Sequence, residues 1–239
     1  MRFSGRWAAD YIRNMIVPDF RAFAEVVTKR LLPTFDTFDT EALKHGEEWF
    51  RAKASDLDPL DDEQYEAASY FADKAMDKTL GFADMLMSMY FASIGLYSVG
   101  LFHLFEQHAA DLPLHFLDGH SYSGEVKLKD VTDWLKADLS VDVEAFASWA
   151  LIRELRLVAN TIKHAEGGSA AALRRCRPEL FVHPAAREGS EAPPSPFHSR
   201  IRKPSFGEDL YPTPDDFSRY AEGVIAFWSE LAEAMAEHP

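Results

Sequence analysis

Apolar residues recur along almost the whole chain at intervals of three and four, the period of an α-helix. Trp7 to Val17 reads as a short amphipathic helix. Phe20 to Leu32 continues from Pro18, a residue that the first turn of a helix accepts, and Pro33 stops that helix. Asp39 is placed to cap the next one, which carries apolar Leu43, Trp49 and Phe50. Asp56 to Asp62, with Pro59, reads as a loop. Asp61 or Asp62 then caps a long helical run through Tyr65, Phe71, Leu80 and Met87 to about Ala110, with a kink expected at Gly81.

Leu112 to Glu125 contains Pro113, Gly119 and Gly124 and reads as a loop. Lys129 to Ala137 predicts a short helix, and Asp142 begins a longer one that ends near His164. Gly167 and Gly168 stop it, and Ser169 caps a short helix through Arg175. Residues 178–212 are rich in Pro, Ser and Gly and read as an irregular arm. Thr213 before Pro214 starts a last amphipathic helix over 213–237, with Phe217, Val224, Phe227, Trp228 and Leu231 on one side. No strand-like alternation, internal repeat or heptad appears. The expected fold is all-α, one helical domain over 1–239, its C-terminal helix packing back across the arm.

Composition refines this picture. The 239 residues are 47% hydrophobic, enough for a substantial core. A lone cysteine, Cys176, excludes an internal disulfide framework and a Cys-based zinc site, and suits a reducing cytoplasm. Met1 to Asp10 lacks the apolar run of a secretory signal. Met85 to Phe105 has no acidic or basic residue and is of membrane-spanning length. Ser88, Ser93, Ser98 and His103 interrupt it, no Lys/Arg cluster flanks it, and the expectation is a buried central helix and no membrane. Its small residues Ser88, Ala92, Gly95 and Val99 form a stripe where another helix can approach. A net charge of −14 repels nucleic acid overall, so any such contact needs a local basic patch.

Phosphate loops, dinucleotide fingerprints, Cys-x-x-Cys pairs and nucleophile elbows are all absent. What remains is Glu154-Leu155-Arg156-Leu157-Val158-Ala159-Asn160-Thr161-Ile162-Lys163-His164. Arg156, Asn160 and His164 recur every four residues and share one helical face. Arginine grips phosphate bidentately, an amide orients a hydroxyl or an imidazole, and histidine transfers protons near neutral pH. Six basic residues, Arg153, Arg156, Lys163, Arg174, Arg175 and Arg177, stand in this region against Glu154 and Glu166 alone. The competing reading is structural: the arginines pair with the chain's own carboxylates, while Lys163 and His164 complement the helix dipole.

The run Glu-Leu-Arg-x-x-x-Asn-x-x-x-His resembles the signature helix of HEPN domains, a helical family that includes many RNA-cleaving toxins and defence effectors. Ala159 stands where the motif arginine usually precedes the asparagine, and the nearest guanidinium is that of Arg156, about a turn earlier. The resemblance implies a HEPN-like bundle with two long core helices and a cytoplasmic, metal-independent endoribonuclease without a cofactor. In that reading the 2′-hydroxyl of RNA attacks the adjacent phosphate, His164 moves the proton, Arg156 stabilises the developing charge and Asn160 orients the histidine or the substrate. Lys163, Arg153, Arg174 and Arg175 would bind substrate. It further implies a homodimer with facing signature helices, RNA such as tRNA or another single strand as partner, and an antitoxin or regulatory protein. The alternative is a catalytically inactive HEPN-like module that binds a protein, nucleotide or RNA.

His103 and Glu106 share a face of the long helix. By the same resemblance an acidic or polar residue from an earlier core helix faces the signature helix, a place either can take in binding substrate. His103-x-x-Glu106 also has the spacing of two metal ligands, but no second such pair appears and no metal is expected. Arg187, Arg200, Arg202 and Lys203 on the arm can reach a nucleic acid or a partner, and Ala192 to Pro196 can serve as a linker.

Overall fold

A computed structural model describes residues 5–57, 61–116, 126–187 and 200–237, and these are all-α. The helices are α1 (Gly5–Tyr11), α2 (Val17–Val26), α3 (Phe38–Ala54), α4 (Asp62–Phe116), α5 (Leu128–Leu139), α6 (Trp149–His164), α7 (Gly168–Cys176), α8 (Pro184–Arg187) and α9 (Pro214–Ala236). Among the described residues there is no strand. Residues 58–60 of the Asp56–Asp62 loop, the glycine-rich part of the loop before α5, and the Pro-rich stretch at Ala192 to Pro196 lie outside the described residues.

The first two expected helices are one continuous helical course. The turn Ile12–Ile16 is a π-helix in which the Val17 N–H reaches Ile12, and Pro18 enters α2 in its first turn. A widened turn relieves the clash between a proline ring and the preceding turn, so the chain passes Pro18 without breaking. A second π turn, Val27–Leu31, tightens into 3₁₀ geometry at Leu32–Phe35, and Pro33 ends the run as expected. The residue before α3 is Thr37, so Asp39 lies inside the first turn.

Helix α4 is 55 residues long, about 80 Å at the usual rise, and continues through Gly81. An added side-chain carbon at Gly81 would meet nothing within 4 Å, so no packing contact there requires a glycine. The helix also runs past Leu112 with Pro113 inside it, where a loop was expected. Its N-terminal half pairs with α3 as a hairpin. Its C-terminal half enters the main core, where Ile94, Leu101, Phe102 and Phe105 are fully buried beside α6, α9 and α5. Each such side chain contributes about 1.5–3 kcal/mol by leaving water. Among the described residues one helical stretch, Gln64–Pro113 of α4, is long and apolar enough to cross a membrane by length and composition, and 33% of its most apolar window is buried.

The small-residue stripe of α4 is used twice. At Gly95 a side-chain carbon would sit 3.2 Å from Ile162 of α6. At Ser88 and Ala92 it receives Gly207 of the arm. Helix α6 starts at Trp149, because Asp142 caps a separate 3₁₀ turn, Val143–Ala145, by accepting the Glu144 N–H. The cap of α7 is Gly167, two positions before the expected Ser169. Thr213 precedes Pro214 at the start of α9, as expected, and caps it through a reciprocal pair with Asp216. Helix α9 packs back on α1, α2, α4 and α6, and Trp228 at its centre is wholly buried against Phe20, Phe105 and Phe227. Trp49, Trp134 and Trp149 are half-buried.

Candidate functional site

Helix α6 has a sharp division of labour. Ile152, Leu155, Val158, Ala159, Thr161 and Ile162 face the core. The opposite side leaves Arg153, Arg156, Lys163 and His164 exposed and Asn160 half-buried. The helix is fixed from beneath by Glu154, whose carboxylate accepts hydrogen bonds from Arg177, Arg219 and the Tyr220 hydroxyl. Arg177 also bonds Glu179 and Asp216. Burial alone would lower the Arg177 pKa, but those two carboxylates outweigh it and hold the guanidinium charged. Burial, then the Glu154 charge, pushes the Tyr220 phenol up. This network ties α6, the end of α7 and α9 into one unit.

Between α6 and α7 lies an open pocket of about 370 Å³. Arg153, Arg156 and Asn160 line it from α6, and Gly168 and Ser169 from the first turn of α7. Neither arginine makes an ion pair or hydrogen bond among the described residues, and Glu154 is committed elsewhere. Two guanidiniums and an amide converging on open space, in a chain of net charge −14, make a local site for an anion with several acceptor oxygens.

Two of the six residues of the basic island are thus consumed. Arg174 is paired bidentately with Glu166 at 2.7 and 2.8 Å, and Arg177 is locked in the network beneath α6. Arg153, Arg156, Lys163 and Arg175 face outward without an ion pair among the described residues. His164 is exposed at the last position of α6, outside the pocket lining. Ala159, the motif position, is 0% exposed and points into the core.

His103 and Glu106 do not line the pocket. The His103 ring lies 3.3 Å from the Gln107 side chain on an exposed face, and Glu106 is half-buried with no ion pair among the described residues. No group of three His, Cys, Asp or Glu side chains that could hold a metal ion occurs among the described residues. A larger groove of about 550 Å³ runs between α3 and α4, but its walls are mainly apolar, with Leu43, Phe50, Ala75 and Met76.

Two features of the site were missed in the sequence. The Gly167-Gly168-Ser169 turn reads as a helix stop, yet it supplies the second wall of the pocket. The carboxylates that neutralise Arg177 come from α6, α9 and the 3₁₀ turn Pro178–Phe181, which no local spacing reveals. No protein-family model, curated protein or solved structure matches this chain.

Proposed function

We propose that this chain is a cytoplasmic, HEPN-like endoribonuclease of a toxin or antiviral defence system. The observation that carries the reading is the pocket lined by unpaired Arg153 and Arg156 together with Asn160, on the helix that ends in exposed His164. A phosphate of single-stranded RNA sits against the two guanidiniums. The neighbouring 2′-hydroxyl attacks that phosphorus, the bond to the 5′-oxygen breaks, and the products are a cyclic phosphate and a free 5′-hydroxyl. His164 takes or returns the proton, Arg156 stabilises the phosphorane charge and Asn160 orients the substrate. His164 stands one turn beyond the pocket, so the complete site forms across a two-fold axis, with the histidine of one copy serving the phosphate held by the other.

A second reading, RNA binding without cleavage, is favoured by the burial of Ala159, because the motif guanidinium is missing and its position faces the core.

One experiment separates them. The purified protein, His164→Ala and Arg156→Ala are incubated with single-stranded RNA in EDTA and the ends of the products are identified. Cleavage with cyclic phosphate ends that both substitutions abolish supports the nuclease. Binding at equal background cleavage leaves the non-catalytic module, and neither binding nor cleavage overturns both.

A further inference from the structure

From Arg200 onward the arm is an organised strap where it meets the end of α6. The Ile201 N–H donates to Glu166 at 3.0 Å, just past the end of α6. The Asp209 carboxylate accepts the backbone N–H groups of Arg202 and Lys203. A 3₁₀ turn, Pro204–Phe206, is closed by Phe206 N–H to Lys203 at 3.0 Å and Gly207 N–H to Pro204 at 3.2 Å. Pro204 is buried, and the turn packs on both α4 and α6. Gly207 has a φ of +73°, and a side-chain carbon there would lie 1.8 Å from the Ser88 carbonyl oxygen, so the strap is pressed directly on α4.

This anchored turn holds Phe206 outward. The residue is 68% exposed, more than any other large hydrophobic residue described, and its ring has no ring partner. Arg202 beside it is exposed and without an ion pair among the described residues. A rigidly presented aromatic ring next to a free guanidinium has the composition of a single-strand binding surface, where bases stack on π-faces and cations track the backbone. We propose that Phe206 is a base-stacking platform for single-stranded RNA, held on the strap that Glu166 fastens beyond the end of α6. It rests on the RNA reading above and adds a contact with the bases, where the pocket supplies only contact with phosphate.

The test uses the full chain and a 2′-O-methyl oligouridine strand, which cannot undergo 2′-hydroxyl attack, beside an abasic strand of the same length. Phe206→Leu keeps an apolar side chain and removes the ring, and Phe206→Trp restores a π-face. Because the ring is exposed, both are expected to melt as the unaltered protein does. Phe206→Leu is expected to weaken binding of the oligouridine about tenfold and leave abasic binding unchanged, while Phe206→Trp binds as the unaltered chain. Arg156→Glu weakens binding of both strands. Oligouridine binding by Phe206→Leu within twofold of the unaltered protein overturns the platform and leaves the phosphate pocket standing. An equal loss on both strands also overturns it, since the ring would not be reading bases. Failure of the unaltered protein to bind either strand overturns the RNA reading and the platform together.

Discussion

The carboxylate of Glu166 accepts the backbone N–H of Ile201 at 3.0 Å, across 35 positions of chain. The same carboxylate grips Arg174 on α7, and that hydrogen bond, reinforced by the Ile201 N–H, holds its pKa down to about 2 against the opposing effect of burial. One side chain therefore fastens the strap to the α6–α7 corner. A carboxylate depressed below its unfolded value of about 4.3 stabilises the fold above that value, and the contribution is lost as pH falls towards 2. Glu166→Gln is expected to lower the melting temperature at neutral pH, to speed amide exchange at Ile201, and to flatten the acid dependence between about pH 4.5 and 2. An unchanged Ile201 exchange rate would show that the strap is held without it.

His108 gives a pH dependence of the same sign in a higher pH range. Its ring packs beside Phe20 and Trp228, and its Nε2 is buried without a hydrogen bond, 3.6 Å from Asp19. Burial lowers its pKa, and the charges of Asp19 and Asp111 only partly oppose this. The folded state then resists a proton that the unfolded chain accepts, so stability is full above the unfolded value of about 6.5 and declines as pH falls through it. Melting temperature should drop between pH 7 and 5, and His108→Leu should remove that step. A variant that keeps the whole step places the titrating group elsewhere.

Ala165 ends α6 with a φ of +58° and a ψ of −132°, a region that suits glycine and strains any residue with a side chain. The strain sits between His164 and the Gly167-Gly168 turn. Ala165→Gly is expected to stabilise the protein by about 1 kcal/mol, with the relieved strain exceeding the entropy that glycine adds to the unfolded chain. Denaturant midpoints measure this, and a lower midpoint would mean that the corner is not strained.

Periodicity made much of this legible. The buried face of α6 follows from the spacing of Leu155, Val158 and Ile162, and Arg156 and Asn160 fall opposite it on one pocket wall. Thr213 before Pro214 announces the start of α9 because a cap is a local interaction. Non-local facts were hidden. Pro18 reads as a helix start, and only the π turn beside it lets the helix continue. Arg177 looks as free as Arg153 until chain folding brings Glu154 and Asp216 to it. The place of His164 relative to the pocket depends on how α7 turns away from α6, which three glycine-rich turn residues do not specify.

If Arg153 and Arg156 hold phosphates, they do so by displacing counterions. For single strands each neutralised phosphate contributes about −0.7 to the slope of log affinity against log salt. Arg156→Ala should reduce the slope by about 0.7 and the double substitution with Arg153→Ala by about 1.4. Lys29→Ala, which removes a cation already paired with Glu25, should leave it unchanged. Fluorescence anisotropy at several salt concentrations gives the slopes, and equal slopes in all four proteins would remove the pocket as the phosphate site.

Restoring the motif residue tests the geometry of α6 most directly. Ala159 is 0% exposed, among Val158, Ile162 and the core side of α4. Among the described residues the buried carboxylates are already committed, Glu154 to Arg177, Arg219 and Tyr220 and Asp216 to Arg177 and Thr213, which leaves none to meet an arginine there. Ala159→Arg is expected to cost about 3–5 kcal/mol as an uncompensated buried charge and to give no gain in RNA cleavage. Thermal melts and the EDTA cleavage assay check the two outcomes together. Unchanged melting with increased cleavage would mean that a side chain at 159 reaches the pocket, and that α6 presents its polar face one position away from where Arg156 and Asn160 now define it.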